Sequence, residues 1–303
     1  MKHQTKIMHW GWLWLLLAAC TTAPMHLPTQ APLKAVIVTP PKVALVLGGG
    51  AVRGFAHVGV IKVLEAQGIV PDMVVGTSAG SVVGALYAAG YSGFELQKIA
   101  FKLDEDTVGD WSLPDRGFIK GEALQNYINK IVQNKPIEKL RKPFAAIATD
   151  LQSGEMVIFR RGNLGQAVRA SSSVPGVFQP VSINAREYVD GGLTSPVPVR
   201  AARDLGADMV IAVDISAKPR YAKVEGLTDV ILQTFSIMGQ SISAHELAHA
   251  DVVIRPDTGS FGSSDFAKKH EAIMEGEKAA QAMIPLIRQK IQQAVERKAK
   301  ENR

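Results

Sequence analysis

The chain has 303 residues, with 34 Lys and Arg against 28 Asp and Glu, a net charge of +6 and 47% hydrophobic residues. That length holds one large α/β domain or two ordinary ones, and the composition excludes a disulfide-stapled peptide, a mainly disordered chain and a polytopic membrane protein. The positive excess would suit a nucleic-acid partner only if it lined a groove, and it sits instead at the two ends of the chain.

At the amino end, Lys2 and Lys6 precede an apolar run from Trp10 to Ala19, the layout of a secretory signal peptide and too short to span a bilayer. The run closes on Leu17-Ala18-Ala19-Cys20, which resembles the lipobox of bacterial lipoproteins, where the cysteine thiol is acylated and becomes the first mature residue. Cys20 is the one cysteine of the chain, and lipidation would consume a thiol that an oxidising compartment penalises. The resemblance implies a signal peptide over residues 1–19 and a lipidated Cys20 anchored in a membrane. With Thr21 rather than Asp after it, the sorting pattern points to the outer membrane. Loss of Lys2 and Lys6 leaves +4, and Arg288–Arg303, with six basic and two acidic residues, accounts for it. The body between is neutral, so no nucleic-acid partner is expected, and the basic helix end reads as solvated and favoured by the helix dipole. Pro24, Pro28, Pro32, Pro40 and Pro41 make residues 20–42 an extended tether with a reach of roughly 70 Å.

From Val43 onward, short apolar runs alternate with helical spacing. Val43–Leu47 predicts a strand ended by Gly48-Gly49-Gly50, and Val58, Ile61, Val63 and Leu64 predict a helix over Phe55–Gln67. Met73–Val75 predicts a second strand, followed by a small-residue helix over Ala79–Ala89. Leu103–Lys120 has few apolar anchors and clusters Asp104, Glu105, Asp106 and Asp110, the pattern of a solvated loop. Further strands are predicted at Ala145–Ala148, Met156–Phe159, Tyr188–Val189, Met209–Val213 and Val252–Ile254. Helices are predicted near Glu122–Val132, Pro198–Asp204, Val230–Ala248 and Ala267–Lys300. Apolar strands separated by helices imply an α/β fold with a largely parallel sheet covered on both faces.

Three segments carry chemistry. Gly76-Thr77-Ser78-Ala79-Gly80 lies between a strand and a helix, the setting of a nucleophile elbow that exposes a serine hydroxyl on a tight turn. Gly48-Gly49-Gly50-Ala51-Val52-Arg53-Gly54 joins the first strand to the first helix, and its backbone N–H groups suit a developing oxyanion. The same spacing fits a dinucleotide loop, but the second strand runs into the serine turn where a ribose-binding acid would stand. Asp190-Gly191-Gly192 follows Tyr188-Val189 and is equally readable as a tight turn. A histidine base after the candidate acids is limited to His245, His249 and His270, none at a strand-to-loop junction. Ser171-Ser172-Ser173 has no strand–turn–helix frame and reads as a loop lining or supporting the pocket.

VALVLGGGAVRGFAHVGVIKVLE, VVGTSAGSVVGALYAAG, RASSSVPGVFQPV and YVDGGLTSPVPV, in this order, resemble the patatin-like phospholipase family over about Lys42 to Asp257. The resemblance implies a three-layer α/β/α domain over 43–258 with a mainly parallel central sheet, followed by a helical extension with a basic end over 259–303. It implies a dyad of Ser78 as nucleophile and Asp190 as general base, without histidine. Gly48, Gly49, Gly50, Arg53 and Gly54 then correspond to the oxyanion loop, Gly76 and Gly80 to the elbow, and Gly191 and Gly192 to the turn after the aspartate. The implied substrate is a lipid ester at a membrane surface, with no metal and no organic cofactor. Arg53 fits either an anion-stabilising role or a helix-start residue paired with an acid, and His57 is expected to be a satisfied helix residue. Two competitors stand beside this expectation: a catalytically silent lipid- or protein-binding module, and a zinc protease using His245-Glu246-Leu247-Ala248-His249, which matches H-E-x-x-H.

Overall fold

Every residue of Val43–Leu47 is apolar, so as a strand the segment requires cover on both faces. The computed structural model, which describes residues 40–103, 119–219, 224–262 and 265–301, supplies that cover. Val43, Leu45 and Leu47 of β1 (Val43–Leu47) enter a core closed by α1 (Phe55–Ala66), α2 (Ala79–Ala89) and α8 (Lys269–Glu301). Ala44 and Val46 enter a second core beneath α6 (Val199–Asp204) and the end of α7 (Leu227–Leu247). The result is the expected three-layer arrangement. The signal segment, Cys20, nearly all of the tether and most of the Leu103–Lys120 loop lie outside the described residues.

Strand β1 pairs in parallel with β2 (Met73–Thr77) on one side and β7 (Met209–Val213) on the other, and the parallel run continues to β3 (Phe144–Asp150) and β8 (Val252–Ile254). Beyond it, β4 (Met156–Phe159) and β6 (Arg186–Asp190) run antiparallel to β3, with β5 (Val181–Ile183) antiparallel to β6. The antiparallel end matters for chemistry. β4 occupies one side of β3 at Ala146–Thr149, so β2 and β6 must share the other side. Their last residues, Thr77 and Asp190, pair with the consecutive positions Ile147 and Ala148. Two strands running in opposite directions therefore end face to face, and the residue after Thr77 is Ser78.

Several elements depart from the sequence pattern. α3 (Gly93–Lys102) was not among the expected helices, although Ser92 and Glu95 form a capping box at its start. α5 (Leu164–Ser171) was also unexpected; it is eight residues long, too short to show a clear period, and is started by the Asn163 side chain accepting from the Gln166 N–H. α4 (Glu122–Ile131) lies where its pattern predicts. β2, β3 and β6 outrun their expected bounds: Gly76 and Thr77 extend β2, Phe144, Thr149 and Asp150 extend β3, and Arg186, Glu187 and Asp190 extend β6.

The carboxy-terminal helix packs into the first core through Ala272, Ile273, Ala280, Ile284, Ile287 and Ala294, so residues 269–301 share a core with β1 rather than form an appendage. It crosses α1 closely, since a Cβ on Gly59 would lie 2.0 Å from Ile273 O and one on Gly276 2.0 Å from Ala56 O. Its basic end is pinned where the parallel strands begin: Lys298 pairs with Asp208 at 2.9 Å and Arg297 donates to Asp208 O. The Lys42 N–H also donates to the Asp208 carboxylate. Lys42 and the basic helix end thus share one edge of the sheet, and Ser78 stands at the other.

Candidate active site

Ser78 follows β2 directly and precedes α2, with φ 53° and ψ −124°, a conformation costly for a residue with a Cβ, at about 1–3 kcal/mol. Its neighbours hold it there. The Ser78 N–H donates to Ser171 Oγ at 2.9 Å, while its carbonyl accepts from the Ser81 N–H and the Ser81 hydroxyl. The turn is tight enough that a Cβ on Gly80 would lie 2.0 Å from Leu47 O, and one on Gly76 2.4 Å from Gly80 O. Gly80→Ala is therefore expected to destabilise the fold by about 3 kcal/mol, a fall in Tm of roughly 10 °C by thermal denaturation.

Asp190 is brought to Ser78 by β6. Its Oδ1 accepts the Gly192 N–H at 2.6 Å, its N–H donates to Ser173 O, and its carbonyl accepts from the Thr149 hydroxyl at 3.0 Å. Oδ2 is buried and, among the described residues, has no partner at hydrogen-bond geometry. Burial raises the pKa of this carboxyl to about 6, against smaller lowering contributions from the nearby Ser78 hydroxyl and the Gly192 N–H. Gly191 lets the chain turn over β3, where a Cβ would lie 2.2 Å from Ile147 O.

The glycine-rich loop lies against the same turn: a Cβ on Gly49 would sit 3.3 Å from Ser78 Cβ, and one on Gly54 2.7 Å from Ala79 Cβ. Not every N–H expected to face an oxyanion is available. The Gly48 N–H donates to Val213 O, the Gly49 N–H to Pro196 O at 2.9 Å and the Arg53 N–H to Gly50 O. Among the described residues, no acceptor meets the N–H groups of Gly50, Ala51 or Ala79. Gly48 and Gly49 therefore shape the loop, and the unspent donors lie one or two residues further along.

Arg53 departs from both of its expected roles. It is buried, with Nε donating to Ile215 O at 3.0 Å and Nη1 to Phe261 O at 3.1 Å, so two carbonyls from distant loops take the place of an acid or an anion. Desolvation lowers its pKa to about 10, which leaves it charged at neutral pH. It ties the glycine loop to the chain segments after β7 and β8. Lysine lacks the planar fork that reaches both carbonyls, so Arg53→Lys is expected to lower kcat on a soluble ester roughly 10²-fold with little change in KM. His57 also does more than fill a helix position. Fully buried, its Nε2 donates to Gly48 O at 2.8 Å, which orients the first peptide of the loop, and Nδ1 is left bare. Burial lowers its pKa to about 4, so it is neutral at physiological pH.

Sequence reasoning gave the serine run a lining or supporting place at the pocket but not the clamp it makes. Ser171 Oγ holds the Ser78 N–H and Ser173 O holds the Asp190 N–H, so the last residue of α5 and the turn after it fix the backbones of both candidate catalytic residues. Nothing periodic marks such a turn, and the three adjacent serines are its one visible trace. A second support runs through Ser195, whose carbonyl accepts from the Thr77 hydroxyl and whose hydroxyl donates to Glu246. Glu246 belongs to the H-E-x-x-H match, but its buried carboxylate is spent on Ser195 and on the backbone and side chain of Arg200. α7 ends at Leu247, before His249, and His245 and His249 are exposed. The α-helix stops between the two histidines, whose ring centroids lie 5.6 Å apart, and among the described residues no third His, Cys, Asp or Glu joins them in a group that could hold a metal ion.

Residues 45–203 match the sequence model of the family described as patatin-like phospholipase. Over 221 residues the chain is 35% identical to an uncharacterised NTE family protein of Mycobacterium tuberculosis, which covers 72% of this chain and 61% of that protein. Over 190 residues it is 35% identical to patatin-like phospholipase domain-containing protein 6 of Homo sapiens, which covers 60% of this chain and 14% of that protein. The chain thus spans less than two thirds of the length of these curated relatives. Among solved structures, VipD from Legionella pneumophila matches with a TM-score of 0.57 at 13% identity, over 82% of this chain and 67% of that one, a likeness of fold.

Proposed function

This chain belongs to the patatin-like phospholipase family, and we propose that it hydrolyses acyl esters of membrane lipids through Ser78 and Asp190. One observation carries the proposal: a strained serine at a strand–helix elbow beside a buried aspartate whose Oδ2 has no other hydrogen-bond partner among the described residues. Asp190 takes the Ser78 proton as Oγ bonds to the ester carbonyl carbon. The oxyanion is met by the unspent N–H groups of Gly50, Ala51 and Ala79, aided by the amino end of α2. Collapse breaks the ester C–O bond, and the proton passes from Asp190 to the departing alkoxide. Water then attacks the acyl-enzyme, gives its proton to Asp190, and releases the fatty acid as the proton returns to Ser78.

A carboxylate of ordinary basicity is a poor base for a serine hydroxyl, and the rise to about 6 moves Asp190 toward the task without leaving it protonated at pH 7. Mass-spectrometric analysis of mixed phospholipid vesicles incubated with the protein should show free fatty acid and the deacylated lipid, absent with Ser78→Ala. Binding to the vesicles with no released product would establish the silent-module alternative instead.

For location, we propose that Cys20 carries the lipid and anchors the chain in the outer membrane, on the strength of Leu17-Ala18-Ala19-Cys20 and Thr21. Cys20→Ser is expected to abolish metabolic labelling with palmitate and to leave the precursor uncleaved. Normal processing of that variant would refute the assignment.

A further inference from the structure

Resting on the lipid-hydrolase reading above, we propose that the outward face of α7 docks on a phospholipid bilayer and sets the Ser78–Asp190 site against its surface. α7 is 21 residues long, about 31 Å, whereas the neighbouring strand β7 has five residues, about 17 Å. Its carboxy-terminal turn is the fixed one. Glu246 and Leu247 are buried, and the Asp251 N–H bonds Val210 O near the start of β7. The helix runs from there back past the edge where the strands end, so its first turns overhang the edge that holds Ser78. On the way Gly239 faces the Pro196 ring, at 3.6 Å from an added Cβ, and Pro196 O accepts the Gly49 N–H of the glycine loop.

The faces of α7 are distributed unusually for a helix covering a soluble core. Leu227, Val230, Ile231, Ile237 and Met238 are exposed, Leu227 at 77% and Met238 at 54%, and helical spacing places them on one side with Thr234 and Ser241. Toward the domain, Leu232 and Phe235 are only half-buried, and the buried positions further along include the polar Ser243 and Glu246. No charged side chain occurs from Val230 to Ala244. More exposed large apolar side chains gather here than on any other described element. A contiguous apolar face of this kind marks an interaction site.

Three observations select a bilayer as the occupant. The face carries aliphatic groups, hydroxyls and amides without ions, which suits the boundary between headgroups and acyl chains and offers no charge pattern for orienting a protein partner. It lies beside the site whose ester substrate resides in that boundary. The described chain begins at the opposite edge, where the Lys42 N–H donates to Asp208, so no described amino-terminal residue covers the face.

The test uses the full chain with Cys20→Ser, carrying an environment-sensitive fluorophore on Ile237→Cys or, as the control at the opposite edge, on exposed Val70→Cys. With phosphatidylcholine vesicles, the probe at 237 should shift to the blue and be quenched by bilayer nitroxides, with no dependence on salt, while the probe at 70 is unchanged. The double variant Ile237→Asp/Met238→Asp should lose at least roughly tenfold in hydrolysis of vesicle lipid and none on a soluble short-chain ester. A probe at 237 that ignores vesicles, or that shifts with protein concentration alone as for a second copy, overturns the proposal. Vesicle insertion at 237 without turnover of either substrate defeats the hydrolase reading and leaves the docking face standing. Soluble-ester turnover without insertion does the reverse.

Discussion

Ser78→Ala should abolish ester hydrolysis, with a loss of roughly 10⁴–10⁶-fold in kcat, and should also abolish labelling by a fluorophosphonate probe. The size follows from the loss of the attacking oxygen: the flanking hydroxyls of Ser171 and Ser173 are held on the Ser78 N–H and Arg169 O and do not replace it. Alanine keeps the Cβ and the packing against Gly49, so the fold should survive with a similar Tm. That separates lost chemistry from lost structure. Retained labelling in Ser78→Ala would place the nucleophile elsewhere and remove the basis of the mechanism.

Asp190→Asn is expected to cost about 10⁴-fold in kcat/KM and, at the same time, to stabilise the protein. The activity arm follows from the base, which works only when ionised. In the wild type, activity should rise with pH through about 6, and this limb should vanish from the residual activity of the variant. The stability arm has the opposite sign. Because the folded-state pKa is raised from 3.8 to about 6, the aspartate's stabilising contribution is complete below pH 3.8 and is lost as pH climbs through about 6. Asparagine is neutral throughout and can keep the Gly192 N–H contact, so above pH 6 the variant should exceed the wild type by ~3 kcal/mol, with no gain below pH 4. Denaturant melts at pH 4 and pH 8 measure it. Equal stability at both values would show that Asp190 is not desolvated as described.

How much of this was legible beforehand depended on the kind of signal. The strands Val43–Leu47, Met156–Phe159, Met209–Val213 and Val252–Ile254 and the helix Ala79–Ala89 have the expected bounds, because apolar runs and small-residue spacing report directly on local pairing and burial. α5 escaped notice because eight residues held by an asparagine cap leave little periodicity. The spent N–H groups of Gly48 and Gly49 were not foreseeable, since their acceptors, Val213 and Pro196, lie far along the chain. Arg53 is the extreme instance: its guanidinium spans to Phe261, 208 residues away.

By itself the sequence determined the α/β frame, the elbow at Ser78, the glycine loop beside it and the family to which they belong. Each of those rests on neighbours within a few residues, where backbone sterics and the 2.0 and 3.6 periods decide the outcome. Tertiary structure alone decided that Thr77 and Asp190 end at adjacent positions on β3, that burial lifts Asp190 to about 6, and which loop donors stay unspent. It alone turned the apolar side of α7 outward. Periodicity tells which residues share a face, while pKa, donor availability and exposure depend on what the rest of the fold places opposite that face.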